Sequence, residues 1–240
     1  GEQSKHLVSN IELYKSSYQK AFQLFYGDIA DYCILALLPS YKEREGSSLI
    51  YMVDDLIKKS KHPQSNYYLN NYEELATTLK ELESKKQKTI LFGVTYALLD
   101  LAEEFPQKLE HTIIMETGGM KGQRKELLKE EIHSILKHSF AAENIHSEYG
   151  MTELLSQGYS QGNNIFKTPP WMKILTRDVN DPLSIISNKT GGINVIDLAN
   201  IFSCPFIATQ DLGKTFDDGS FSVLGRFNNA DVRGCNLLVQ

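Results

Sequence analysis

The stretch "IHSEYGMTELLSQGY", residues 145–159, carries the densest set of side chains with capacity for chemistry. Glu148, Tyr149, Thr152 and Glu153 crowd together where a strand reads as ending. The segment also has an ordinary reading. Thr152 suits a helix cap, and Glu153 suits an acid in a first helical turn, where the helix dipole favours it. Several named catalytic systems are absent. The six histidines, His6, His62, His111, His133, His138 and His146, form no HExxH pair, which speaks against zinc. There is no GxSxG elbow of an α/β-hydrolase. "GGMKG", residues 118–122, lacks the spacing of a Walker loop, and no GxGxxG follows a strand.

The elements that would position these residues are legible in the hydrophobic periodicity. Ser9 and Glu12 have capping-box spacing, Tyr14, Tyr18, Ala21 and Phe25 recur at helical intervals, and Gly27 is the stop. Residues 32–40 are an apolar run closed by Pro39, a buried strand. Helices follow over 46–60 and 71–86, a strand over 88–93 and a helix over 94–105. Residues 111–119 read as a strand entering a glycine turn. Residues 123–140 read as a helix with Leu128, Ile132, Ile135 and Leu136 on its apolar face, and 144–150 as another strand. Short apolar strands alternating with amphipathic helices predict an α/β fold, with a mostly parallel sheet flanked by helices. Ligands of such sheets sit beyond the carboxyl ends of the strands, where "LLPSY", "FGVTY", "METGGMKG" and "EYGMTE" would gather. After residue 165 the segments "WMKILTRD", "GGINVIDL", "CPFIATQDLG" and "GSFSVLGRF" read as strands between Gly, Asn and Asp turns. The expected organisation is an α/β part over 1–161 and a β-rich part over 162–240.

Composition bounds the function. The 240 residues are 41% hydrophobic, enough for a substantial core. A net charge of -5 argues against a broad nucleic-acid footprint. Three dispersed cysteines, Cys33, Cys204 and Cys235, make no disulfide framework and fit a reducing compartment, the cytoplasm. No apolar run approaches the roughly 18 residues of a membrane span.

"METGGMKG" (115–122), "SEYGMTELLSQ" (147–157), "GGINVIDLANI" (191–201), "IATQDLG" (207–213) and "LGRFNNADVRGCNLL" (224–238) follow one another in this order. The ordered set resembles the adenylate-forming superfamily. It is most similar to the acyl-protein synthetases of the bacterial bioluminescence fatty-acid reductase system, and next to phenylacetate-CoA ligases. The resemblance implies an acyl-activating enzyme that uses ATP and Mg²⁺. A carboxylic acid, a fatty acid in that branch, attacks the α-phosphorus of ATP, and a thiol of an acyl-accepting protein then takes the acyl group. By the same resemblance Tyr149, followed by Gly150, stacks on adenine, Thr152 hydrogen-bonds the α-phosphate, and Glu153 helps hold Mg²⁺, a hard cation suited to carboxylate oxygen. Gly118 and Gly119 admit the nucleotide and acyl group close to the backbone. Asp211 accepts from both ribose hydroxyls, and Arg226 lies near ribose and phosphate.

Cys235 has an ordinary reading as a small buried hydrophobe. The resemblance instead implies that it carries the acyl thioester, with Arg233 lowering the thiol pKa and Gly234 as a hinge. Two parts of the superfamily pattern are missing. The Ser/Thr/Gly-rich loop around the outer phosphates belongs just before a segment like "GEQSKHLV", and the lid domain with its lysine is absent. The expectation is therefore a piece of an adenylating enzyme, part of its large domain, with weak or no turnover alone. Asn229 stands where coenzyme A ligases keep a hinge aspartate, which weakens the ligase alternative. A second alternative is a binding module that keeps the fold without catalysis.

Overall fold

The computed structural model describes residues 5–39, 46–69, 71–118 and 127–227. Helix α1 (Ile11–Tyr26) opens at Asn10, whose side chain accepts from the Glu12 and Leu13 N–H groups. The cap thus lies one residue beyond the predicted Ser9, because the Asn10 carboxamide already satisfies the first free donors. Gly27 ends the helix at φ 87°, a left-handed value open to glycine. Strand β1 (Cys33–Leu37) is buried along its whole length. Helix α2 (Ser48–Ser60) is capped by Ser47. A two-residue edge strand, β2 (Asn66–Tyr67), precedes helix α3 (Tyr72–Ser84). Then come β3 (Thr89–Gly93), α4 (Thr95–Glu104), β4 (Thr112–Glu116), α5 (Lys129–Phe140) and β5 (His146–Tyr149).

The face of α5 differs from expectation. It buries Ile132, His133, Leu136 and Phe140, whereas Leu128 is 71% exposed and Ile135 36% exposed. Leu128 is the residue before the helix, and His133 is drawn inward by polar groups beneath it.

The remaining strands are β6 (Gly158–Ser160), β7 (Phe166–Lys167), β8 (Met172–Arg177), β9 (Ile185–Ile186), β10 (Gly191–Asp197), β11 (Phe206–Thr215) and β12 (Phe221–Arg226). The twelve described strands form one sheet in the order β2-β1-β3-β4-β5-β6-β7-β12-β11-β10-β8-β9. Pairing is parallel from β2 to β5 and antiparallel from β5 outward. Helices cover the parallel half, so its strands read as continuous apolar runs. The antiparallel half shows alternating burial, as in β8 and β10. The expected α/β architecture with a β-rich continuation is the one observed. Residue 162 falls in the turn between β6 and β7, and sheet hydrogen bonding continues across it.

Two apolar clusters hold the sheet. The larger joins the helices to β1, β3 and β4 and reaches Tyr159 and Ala199. The smaller gathers Tyr149, Leu154, Phe166, Ile193 and Phe221.

Candidate functional site

Parallel registration brings the carboxyl ends of β1, β3, β4 and β5 to one edge: Leu37 pairs with Gly93, Gly93 with Glu116, and Glu116 with Ser147. Beyond β4, Gly118 adopts φ 78° and its N–H donates to Glu116 Oε1 at 2.8 Å. That left-handed backbone is why glycine stands there. Gly119 lies outside the described residues, as does Cys235.

After β5 the chain makes a turn closed by Leu154 N–H donating to Met151 O at 3.1 Å. Thr152 and Glu153 are the turn's central residues, so neither caps nor begins a helix. Thr152 is exposed and Glu153 half-buried. The turn is held from outside. Asp197, fully buried on β10, accepts from Leu155 N–H (2.8 Å), Ser156 N–H (3.0 Å), Ser156 Oγ (2.6 Å) and Ala199 N–H (3.1 Å). Asn200 Nδ2 donates to the Glu153 carbonyl at 2.8 Å. Neither Asp197 nor Asn200 was foreseen as a positioning residue, although both lie in the motif "GGINVIDLANI".

Tyr149, Asp211 and Arg226 come together. The Tyr149 hydroxyl donates to Asp211 Oδ2 at 2.9 Å, and Arg226 Nε donates to Oδ1 at 3.1 Å. Asp211 is 7% exposed, and Arg226 reaches it from a largely exposed side chain. The Tyr149 ring meets Phe166 and Phe221 edge-on, with centroids 6.1 and 5.5 Å away. The pairing of Asp211 with Arg226 across β11 and β12 fixes this group in the sheet itself.

A second carboxylate at the edge was not predicted. Glu116 is buried and accepts from Thr95 Oγ1, the Gly118 N–H and, at 3.3 Å, Ser147 Oγ. Lys129 Nζ lies 3.3 Å and His133 Nε2 4.0 Å from its Oε2. Burial raises its pKa, but His133, Lys129 and Thr95 outweigh that and hold it down to about 2. Its buried position at the end of an apolar strand was the available signal.

Glu148 projects to the opposite face of β5 from Ser147 and Tyr149. It lines a cavity of about 140 Å³ with Tyr14, Ser48, Met52, Thr152 and Gln157. Burial pushes its carboxyl up to about 8, the Glu116 charge adds to this, and Lys129 opposes it. Its side chain is half-buried beside this hollow. A Cβ at Gly150 would meet Glu148 Oε1, so a larger residue there would push the Glu148 carboxyl aside. A neighbouring hollow of about 240 Å³ shares Tyr14, Ser48 and Thr152 and extends to His6 and Tyr51.

No group of three or more His, Cys, Asp or Glu suited to a metal occurs among the described residues. The half-buried Glu153 supplies a carboxylate of the kind that suits Mg²⁺, which binds through one or two carboxylates and takes its other ligands from phosphates and water. Among the described residues no helix is long and apolar enough to cross a membrane.

No family model matches the sequence. No curated protein matches it either. Solved structures do. ATP-bound MatB from Rhodopseudomonas palustris superposes with a TM-score of 0.65 at 15% identity, covering 89% of this chain and 44% of that one. A benzoate CoA ligase from Burkholderia xenovorans LB400 gives 0.59 at 15% identity, covering 90% and 45%. A malonyl-CoA ligase with methylmalonyl-CoA and AMP bound gives 0.60 at 16%, covering 90% and 48%. At such identities the likeness is one of fold. The chain spans under half the length of these proteins and has the fold of that portion.

Proposed function

We propose that this chain carries the adenosine and acyl side of an enzyme that activates a carboxylic acid with ATP. The observation that carries this reading is the buried Asp211, gripped from both sides by Tyr149 and Arg226 beside the turn bearing Thr152 and Glu153. A carboxylate has about four acceptor sites, so two remain for a pair of ribose hydroxyls. Tyr149, its ring packed edge-on against Phe166 and Phe221, would orient Asp211 through its hydroxyl. Thr152 would donate to the α-phosphate. The fold shared with an ATP-bound protein and two CoA ligases supports the reading.

In the reaction, an acid carboxylate oxygen attacks the α-phosphorus, forming a mixed anhydride and releasing pyrophosphate. A thiolate then attacks the acyl carbon and AMP leaves. Glu153 would hold Mg²⁺, which supplies charge neutralisation at the phosphates when bound. The turn tied down by Asp197 and Asn200 keeps Thr152 and Glu153 in place, which is the preorganisation such chemistry requires.

The thiol acceptor has two readings. The bioluminescence-type resemblance favours a protein thiol, with Cys235 as acyl carrier and a fatty acyl group. The names of the solved neighbours favour coenzyme A. The experiment is to incubate the full-length protein with ATP, Mg²⁺ and a panel of acids and to measure pyrophosphate release. Asp211→Ala should weaken AMP binding about 10–100-fold, the scale of hydrogen bonds to a charged group. Unchanged AMP affinity would remove the nucleotide assignment. Hydroxylamine-sensitive label on protein, lost in Cys235→Ser, identifies the protein acceptor, whereas a product formed only with coenzyme A identifies the ligase.

A further inference from the structure

The cavity beneath Glu148 is unusual in what it leaves unpaired. Gln157 is 4% exposed, and its Oε1 has no hydrogen-bond partner. The Glu148 carboxyl receives no hydrogen bond among the described residues, and its Oε1 lies over Gly150. Both acceptors line the same hollow. No cation lines it among the described residues. Lys129, the cation that acts on Glu148, lies against Glu116. Tyr14 and Thr117, two other hydroxyls of the wall, donate to the carbonyls of Ser48 and Gly93. A buried acceptor without a donor is costly, so pairing of Gln157 Oε1 with a guest, beside the half-buried Glu148 carboxyl, is the simplest account of its persistence.

The wall also includes Thr152. In the reading proposed above, Thr152 meets the α-phosphate at which the acid reacts, so the hollow adjoins the reacting carboxylate. At about 30 Å³ per water-sized group, a volume of about 140 Å³ takes roughly five non-hydrogen atoms. An alkyl chain placed there would leave Gln157 Oε1 buried and unpaired.

We propose that this cavity receives the body of the acid substrate, and that Glu148 and Gln157 select a short carboxylic acid bearing a second hydrogen-bond donor, a hydroxyl or an amino group, over a long-chain fatty acid. The inference rests on the chain activating carboxylic acids and replaces the fatty acyl expectation with a polar one. A site built to hydrogen-bond a substrate group rejects the analogue lacking it far more strongly than an apolar pocket rejects an added methylene.

The test compares four acids with the full-length protein: a plain short-chain acid, the hydroxy acid and the amino acid of equal length, and a long-chain fatty acid. Pyrophosphate release gives kcat and KM, and calorimetry gives acid binding. One donor-bearing acid should exceed the plain acid by about 100-fold or more in kcat/KM. Glu148→Gln and Gln157→Leu, each checked for fold by circular dichroism, should each cut that preference at least tenfold, mainly through KM and acid affinity. Use of the amino acid with loss chiefly in Glu148→Gln identifies an ammonium guest, and equal loss in both variants identifies a hydroxyl. A preference for the fatty or plain acid, or a preference intact in both variants, overturns the proposal while leaving acid activation standing. Pyrophosphate release with none of the acids, in a protein that also fails to bind AMP, overturns the parent reading and this inference together.

Discussion

Glu116 and Glu148 occupy neighbouring strands, and their carboxyls move in opposite directions because only one has donors. Glu148 sits at about 8 against an ordinary 4.5. Below about pH 4.5 the folded and unfolded chains both hold its proton. As pH rises toward 8 the unfolded chain loses that proton first, so stability falls. Glu148→Gln should therefore gain on the original protein between pH 5 and 9, by on the order of 2–4 kcal/mol, with the difference level above that. Glu116 behaves in reverse. Held at about 2, it contributes stability above pH 4.5 that is lost as pH falls through 2. Urea titrations across this pH range check both signs, and a parallel pH profile of the original protein and Glu148→Gln would refute the first. Glu153 supports a separate expectation. Glu153→Gln removes the turn's carboxylate but not the backbone bond from Asn200, so the fold should persist. Adenylate formation at limiting Mg²⁺ should lose about 2–4 kcal/mol of transition-state stabilisation. An unchanged yield at limiting Mg²⁺ would show that Glu153 holds no metal.

At the scale of elements, the decisive structure is a turn where helix capping was an equally good local reading. The turn persists because β10 delivers a buried carboxylate beneath it. Asp197 joins a polar chain running through Ser156 Oγ (2.6 Å) and Ser17 Oγ (3.0 Å) to the Trp171 indole N–H (3.0 Å). It thereby couples α1, the turn and β10. Asp197→Ala strands three backbone donors and a hydroxyl in the interior. It should cost about 4 kcal/mol or more, since each donor left unpaired in the interior costs about 1–3 kcal/mol. Activity should fall further than stability, because Thr152 and Glu153 lose their support. Chemical denaturation combined with pyrophosphate release at a temperature where the variant is folded separates the two effects. Activity equal to the original protein's in the folded variant would mean that the turn holds itself.

At the scale of the whole molecule, the sheet is continuous from β2 to β9 and its polar chain crosses the expected division at residue 162. Trp171 is the single tryptophan, and it belongs to the β-rich part while bonding to Ser17 of α1. Its fluorescence reports the seam between the two parts. Thermal or urea unfolding followed by Trp171 fluorescence should coincide with loss of far-UV dichroism, as in a single cooperative transition. Two separated transitions would show that the parts over 1–161 and 162–240 fold independently.

Periodicity alone determined the parallel half of the fold. Residues 33–37, 89–93 and 112–116 were legible as buried strands because they are short apolar runs without alternation, bounded by turn residues, that need cover on both faces. The intervening helices were legible for the same reason, and their carboxyl-edge loops followed from strand order. Very short strands such as β2, β7 and β9 escaped notice, since two residues carry no period. The residue types around Tyr149 and Asp211 were visible, but their bond was not: they are 62 positions apart, and only the antiparallel half of the sheet closes that distance. The sequence singles out Glu148 by its neighbours but shows Glu116, Gln157 and Asp197 as ordinary polar residues. Tertiary structure decided their different states by giving donors to Glu116 and Asp197, half-burying Glu148 with no hydrogen bond among the described residues, and leaving Gln157 Oε1 buried and unpaired. A polar group's free energy depends on which partners replace water, and those partners come from distant segments that no local spacing records.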